Sequence, residues 1–143
     1  MATILLLSGP NLNLLGSREP EVYGTDSLDD CVAEARAAAE AAGHVLEHLQ
    51  SNHEGALIDA VHGARGRCDA IVLNPGALTH TSYALADALA AYDGVKVELH
   101  LSNPAAREEW RRRSVVAPVV TGTIAGFGRT GYRLAVAAAA SLL

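Results

Sequence analysis

Five short apolar runs, at residues 3–8, 44–50, 70–73, 95–101 and 118–124, alternate with Ala-rich segments of helical pattern at 27–42, 54–65, 80–92, 104–113 and 131–142. Alternation of this kind builds βαβ units and therefore a parallel sheet. Ile4-Leu5-Leu6-Leu7 and Ala70-Ile71-Val72-Leu73 carry no polar residue on either face. Such strands belong at the centre of a sheet covered by helices on both sides. Two helix starts fit the same parse. Ser27 stands as an N-cap with Asp30 three positions on, and Asn103 caps ahead of Pro104.

A length of 143 residues leaves room for one core and not for two ordinary ones. The expectation is a single domain over residues 1–143. Its fold class is α/β, a flavodoxin-like, doubly wound, five-stranded parallel sheet in strand order 2-1-3-4-5.

The formal charge is −5. The one basic cluster, Arg107 with Arg111, Arg112 and Arg113, is interrupted by Glu108 and Glu109. A solvated helix face is the expected reading, and no nucleic-acid partner is expected. Cys31 and Cys68 read as core thiols and supply no disulfide framework. No basic segment precedes the short apolar run at 4–7, and the apolar stretch at 134–143 is too short to span a bilayer. A cytoplasmic protein with no membrane partner is expected.

Ligands of doubly wound sheets bind beyond the carboxyl ends of the strands. Uncharged polar residues gather there: Ser8-Gly9-Pro10-Asn11, Ser51-Asn52, Asn74-Pro75-Gly76, His80-Thr81-Ser82, Ser102-Asn103 and Gly122-Thr123. Turn chemistry accounts for part of this. Glu98 and His100 are harder to assign to turns, because they share one face of a covered strand. They form either a satisfied core ion pair or a carboxylate that fixes an imidazole for proton transfer.

The connection from Asn11 to Asp26 has no helical or strand pattern. It carries Arg18 and Tyr23, bracketed by Gly16 and Gly24. It reads as a plain surface loop or as a hinged lid. A free tyrosine is ionised to only about one part in a thousand at pH 7. A guanidinium about 4 Å away is worth on the order of 4 kcal/mol at an effective dielectric of 20. An Arg–Tyr pair can therefore supply a phenolate base.

The segment from Gly9 to Gly24, GPNLNLLGSREPEVYG, resembles the opening signature of the type II 3-dehydroquinate dehydratases. Four further blocks are similar to that family in the same order: Gln50-Ser51-Asn52-His53-Glu54-Gly55, the run from Asn74 to Ser82, Glu98-Leu99-His100-Leu101-Ser102-Asn103, and the run from Gly122 to Gly128. The resemblance implies a flavodoxin-like fold. It implies metal-free anti elimination of water from 3-dehydroquinate through an enolate, with no cofactor. It also implies a homododecamer built as a tetramer of trimers.

Carried over by motif, Tyr23 is the base and Arg18 its partner. Asn11 positions a water at the enolate. His100 protonates the leaving hydroxyl and Glu98 orients it. Asn74, His80, Arg111 and the main chain of Leu101 and Ser102 hold the substrate, and Asp87 reaches a neighbouring subunit's site. The chain departs from the family pattern at Ala86, where an arginine is expected, at Tyr83, which replaces a small aliphatic, and at Ala105, where a histidine is common.

Three other classes fit less well. A flavin carrier needs a hydroxyl-rich phosphate loop where Asn11 to Leu15 is leucine-rich. A phosphoryl receiver needs acids where Ser8 and Asn74 stand. A metal hydrolase needs a ligand cluster that His44 and His48 do not complete.

Overall fold

The computed structural model describes residues 1–143. Five parallel strands are ordered β2-β1-β3-β4-β5, as expected: β1 (Thr3–Ser8), β2 (Val45–Gln50), β3 (Ala70–Asn74), β4 (Val95–His100) and β5 (Gly122–Ala125). Six helices accompany them: α1 (Pro20–Tyr23), α2 (Leu28–Ala41), α3 (Glu54–Ala64), α4 (Leu78–Thr81), α5 (Tyr83–Ala90) and α6 (Thr130–Ala140). No helix is long and apolar enough to cross a membrane.

Successive strand residues point to opposite faces, so β1 feeds two cores. Ile4 and Leu6 pack with α2 and α6. Leu5 and Leu7 pack with α3 and α5. β1 and β3 are buried almost throughout, whereas the edge strands β2 and β5 are partly exposed. Cys31 and Cys68 are buried free thiols, one in each core. Ser27 and Asp30 close the expected capping box at the start of α2.

Three expected elements come out differently. Residues 104–113 form two 3-10 turns, Pro104–Ala106 and Glu109–Arg112, in place of a helix. The chain extends at Arg107 because its guanidinium turns inward, donating to Ser102 Oγ at 3.2 Å and lying over the ring of Tyr23. The basic cluster is thus not one solvated face. The expected helix at 80–92 is two helices, broken at Ser82. That hydroxyl accepts from the Leu85 amide and donates to the Glu54 carboxylate, which starts α5 afresh. The last strand begins at Gly122, because Ala117–Val119 turns as a 3-10 segment with Pro118 near its start.

β1 has β2 on one side and β3 on the other, so a crevice opens at the ends of β1 and β3. In register, Ser8 lies opposite both Gln50 and Asn74. The loops that follow β1 and β3 then touch. The Gly9 amide donates to the Asn74 carbonyl at 2.8 Å. A Cβ on Gly9 would sit 2.5 Å from the Pro75 carbonyl oxygen, inside van der Waals contact with backbone. Gly9→Ala should therefore cost about 1–3 kcal/mol by overpacking. Denaturant unfolding checks this, and a variant as stable as wild type would mean the two loops separate freely.

Candidate active site

The crevice is lined by groups from five segments: Asn11 and Leu12, Arg18 and Tyr23, Asn74, Gly76 and Ala77 with His80, His100 to Ser102, and Arg107 with Arg111. Ten of the eleven expected site residues belong to this cleft or stand directly behind it. Asp87 does not, being exposed on α5 away from the lining.

The segment after β1 is tethered before it reaches solvent. Asn11 adopts a left-handed backbone, φ 70°. Its amide donates to Asn52 Oδ1 at 3.0 Å, and Gln50 Nε2 donates to that same oxygen and to the Gly9 carbonyl. Leu12 and Leu15 plug into the core beside α2. The expected hinge glycines, Gly16 and Gly24, both have positive φ. Between them α1 presents Tyr23.

The Arg18 guanidinium carbon lies 4.9 Å from the Tyr23 ring centroid. Arg18 also pairs with Glu19 at 3.4 Å. Arg107 brings a second guanidinium to 5.0 Å from the same centroid. Cation and ring at this range attract electrostatically. The sequence reading placed Arg107 in a basic cluster on a solvated face, because its neighbours read as a helix.

Asn74 is held with its amide assigned by its partners. Its Oδ1 accepts from the Gly76 amide at 3.2 Å, and its Nδ2 donates to the Tyr132 hydroxyl at 3.2 Å. Burial pushes the Tyr132 phenol above its usual value, so it is a neutral partner. The second Nδ2 proton is left for the cleft. His80 Nδ1 faces the Arg113 carbonyl at 2.7 Å. A carbonyl only accepts, so in the neutral ring Nδ1 carries the proton and Nε2 is an acceptor.

Trp110, also unforeseen, meets His80 edge-on with centroids 5.3 Å apart and lies 4.0 Å from the Arg111 guanidinium carbon. The amides of Leu101 and Ser102 donate to no other main-chain or side-chain group. Adjacent free amides of this kind suit an anion.

Glu98 is buried at 1% exposure and bonds His100 Nε2 at 2.6 Å. A carboxylate there accepts the Nε2–H bond from the neutral or the cationic ring, and leaves Nδ1, which has no protein partner, as the site of the transferable proton. Burial pushes Glu98 upward, yet bonds from His100, Thr79 and Ser114 outweigh it and hold the carboxyl below its ordinary value.

His44 and His48 do not converge. His44 Nδ1 accepts from the Ala2 amide, and His48 Nε2 meets Ser8 Oγ. No group of three or more His, Cys, Asp or Glu side chains could hold a metal ion.

The family model described as Dehydroquinase class II matches residues 2–140. The chain belongs to this family. Among its relatives, a 3-dehydroquinate dehydratase of Bacillus licheniformis is 57% identical over 136 residues, covering 95% of this chain and 94% of that protein. A catabolic 3-dehydroquinase of Aspergillus clavatus is 54% identical, covering 94% and 89%. The solved type II dehydroquinase of Propionibacterium acnes superposes with a TM-score of 0.94 at 42% identity, covering 99% and 97% of the two chains.

The depressed Glu98 carboxyl has a stability consequence. Between its folded value and the ordinary 4.5 it binds fewer protons than in the unfolded chain. Its stabilising contribution is complete above that range and fades as pH falls through the folded value. Denaturant melts from pH 3 to 6 should show a steeper acid loss for wild type than for Glu98→Gln. Equal slopes would place the acid sensitivity elsewhere.

Proposed function

We propose that this chain is a hydro-lyase that removes water from 3-dehydroquinate to give 3-dehydroshikimate, a step of the shikimate pathway, by anti elimination through an enolate. Family membership supports the reaction. The observation that carries the mechanism is one cleft lined by both a phenol flanked by guanidiniums and an imidazole backed by a buried carboxylate.

Tyr23, as phenolate, takes the proton next to the ketone. The C–H electron pair moves onto the ketone oxygen as an enolate. Arg18 and Arg107 counter the negative charge that the base carries. Asn11 positions a water against the enolate oxygen. The enolate then collapses, the C–O bond at C1 breaks, and His100 gives the departing hydroxyl its proton, so that water leaves. Glu98 balances the charge on His100. The free amides of Leu101 and Ser102, the spare Asn74 proton and Arg111 suit the substrate's carboxylate and hydroxyl oxygens as donors, and His80 Nε2 suits a hydroxyl as acceptor.

Every group invoked belongs to the protein or solvent, so turnover should persist in excess chelator, followed by the enone absorbance of the product. Tyr23→Phe should lower turnover roughly 10²- to 10⁴-fold while binding of a substrate mimic is kept. Loss of wild-type activity with chelator, or a variant retaining a tenth of the rate, would overturn this assignment.

The assembly belongs to the same reading: a homododecamer, a tetramer of trimers, in which exposed Asp87 completes a neighbour's site. A cytoplasmic location fits the two buried free thiols. Light scattering should give a mass near twelve protomers, and Asp87→Ala should weaken substrate binding without unfolding the chain. A fully active monomer would refute the shared site.

A further inference from the structure

Glu98 is a buried anion with no arginine or lysine bonded to it. His100 is its one titratable partner. His80, Arg111 and Arg112 line the cleft behind β4 with it, but His80 is committed to the Arg113 carbonyl and Arg111 to Glu108. Two hydroxyls from distant parts of the chain fill the remaining positions. Thr79 Oγ1, at the head of α4, donates to Glu98 Oε2 at 2.5 Å. Ser114 Oγ, just past the second 3-10 turn, reaches both carboxylate oxygens at 3.0 and 3.1 Å.

Ser114 has little freedom to do otherwise. Its oxygen already accepts from the amides of Val116 and Ala117, at 3.2 and 3.0 Å. With both lone pairs engaged, its one proton is available to the carboxylate. Thr79 and Ser114 oxygens lie 2.9 Å apart, so the two hydroxyls form a continuous cradle, and both reach Oε2, the oxygen that bonds His100. Neither residue lines the substrate cleft.

We propose that Thr79 and Ser114 are positioning residues of the elimination: their hydroxyl protons hold the Glu98 carboxylate against Nε2 of His100, so that the other ring nitrogen faces the leaving hydroxyl. This rests on the reaction proposed above. Without the cradle, Glu98 accepts a proton more readily and ceases to orient the ring. The lowered pKa of Glu98, which favours its ionised form, agrees with the geometry.

Thr79→Val removes one donor at constant shape. Its kcat should fall about tenfold with KM within about twofold, because the residue acts through His100 and not on substrate. The acid limb of its kcat profile should move up by about one pH unit, as expected for loss of one hydrogen bond to a charged group. Thr79→Ser should restore both. An unchanged pH limb with kcat within about twofold of wild type overturns the proposal.

If thermal melts show that Thr79→Val does not fold, Ser114→Ala is read the same way. A further arm uses wild-type protein and needs no turnover. The carbon-13 signal of the Glu98 carboxyl should titrate with its midpoint below the ordinary carboxylate value of 4.5, and a midpoint above that value overturns the proposal whether or not either variant folds. Absence of wild-type dehydration, by contrast, would sink the reaction and leave the carboxyl titration standing.

Discussion

The contact between the loops after β1 and β3 sets the position of everything else. Gly9 lies so close to Pro75 that no side chain fits, and its amide is bonded to the carbonyl of Asn74. That contact closes the floor of the crevice where the sheet changes direction. Asn74 rises from one side of it and Asn11 from the other, and the chain leading to Tyr23 departs from the same point. The parallel register carries the constraint outward. Leu73 pairs with Glu98 and Ser8 with Gln50, so four neighbouring strands end their polar residues along one edge.

Much of this could be read in the chain itself. The apolar runs that are hydrophobic on both faces, at 4–7 and 70–73, had only one kind of place in a sheet, and the order of the strands followed. The Glu98–His100 pair announced itself because a covered strand should not carry a lone charge. The Arg18–Tyr23 pair did so because two chemically useful residues sat in an unusually long connection. What remained hidden depended on contacts between distant segments. Ala105, Ala106, Arg107, Glu108 and Glu109 favour a helix locally, and nothing nearby says that Arg107 leaves it to meet Tyr23 and Ser102. Thr79 and Ser114 meet across 35 residues, a pairing with no local periodicity to betray it. Ser82 interrupts a helical pattern because its hydroxyl has a cap to make and Glu54 to reach.

The cleft holds its side chains by two kinds of tether. Asn74 and His80 are fixed by bonds to main chain and to Tyr132 in the core. Tyr23 sits differently, on a one-turn helix between two glycines of positive φ, its ring partly buried against the core and Leu12 and Leu15 anchoring the near end of its segment. These are separate parts of one loop cluster, the first held by hydrogen bonds and the second by a short helix between two turns.

The protein as a whole carries net charge −5, yet the cleft is walled by three arginines, Arg18, Arg107 and Arg111, and by no acid. Glu19 and Glu108 pair with two of these from outside the lining. The opening is thus a small cationic island on an anionic body. An anionic metabolite approaching from solution is repelled by most of the surface and drawn to this one place, so capture is guided over several ångströms before any contact forms and weakens as ionic strength rises.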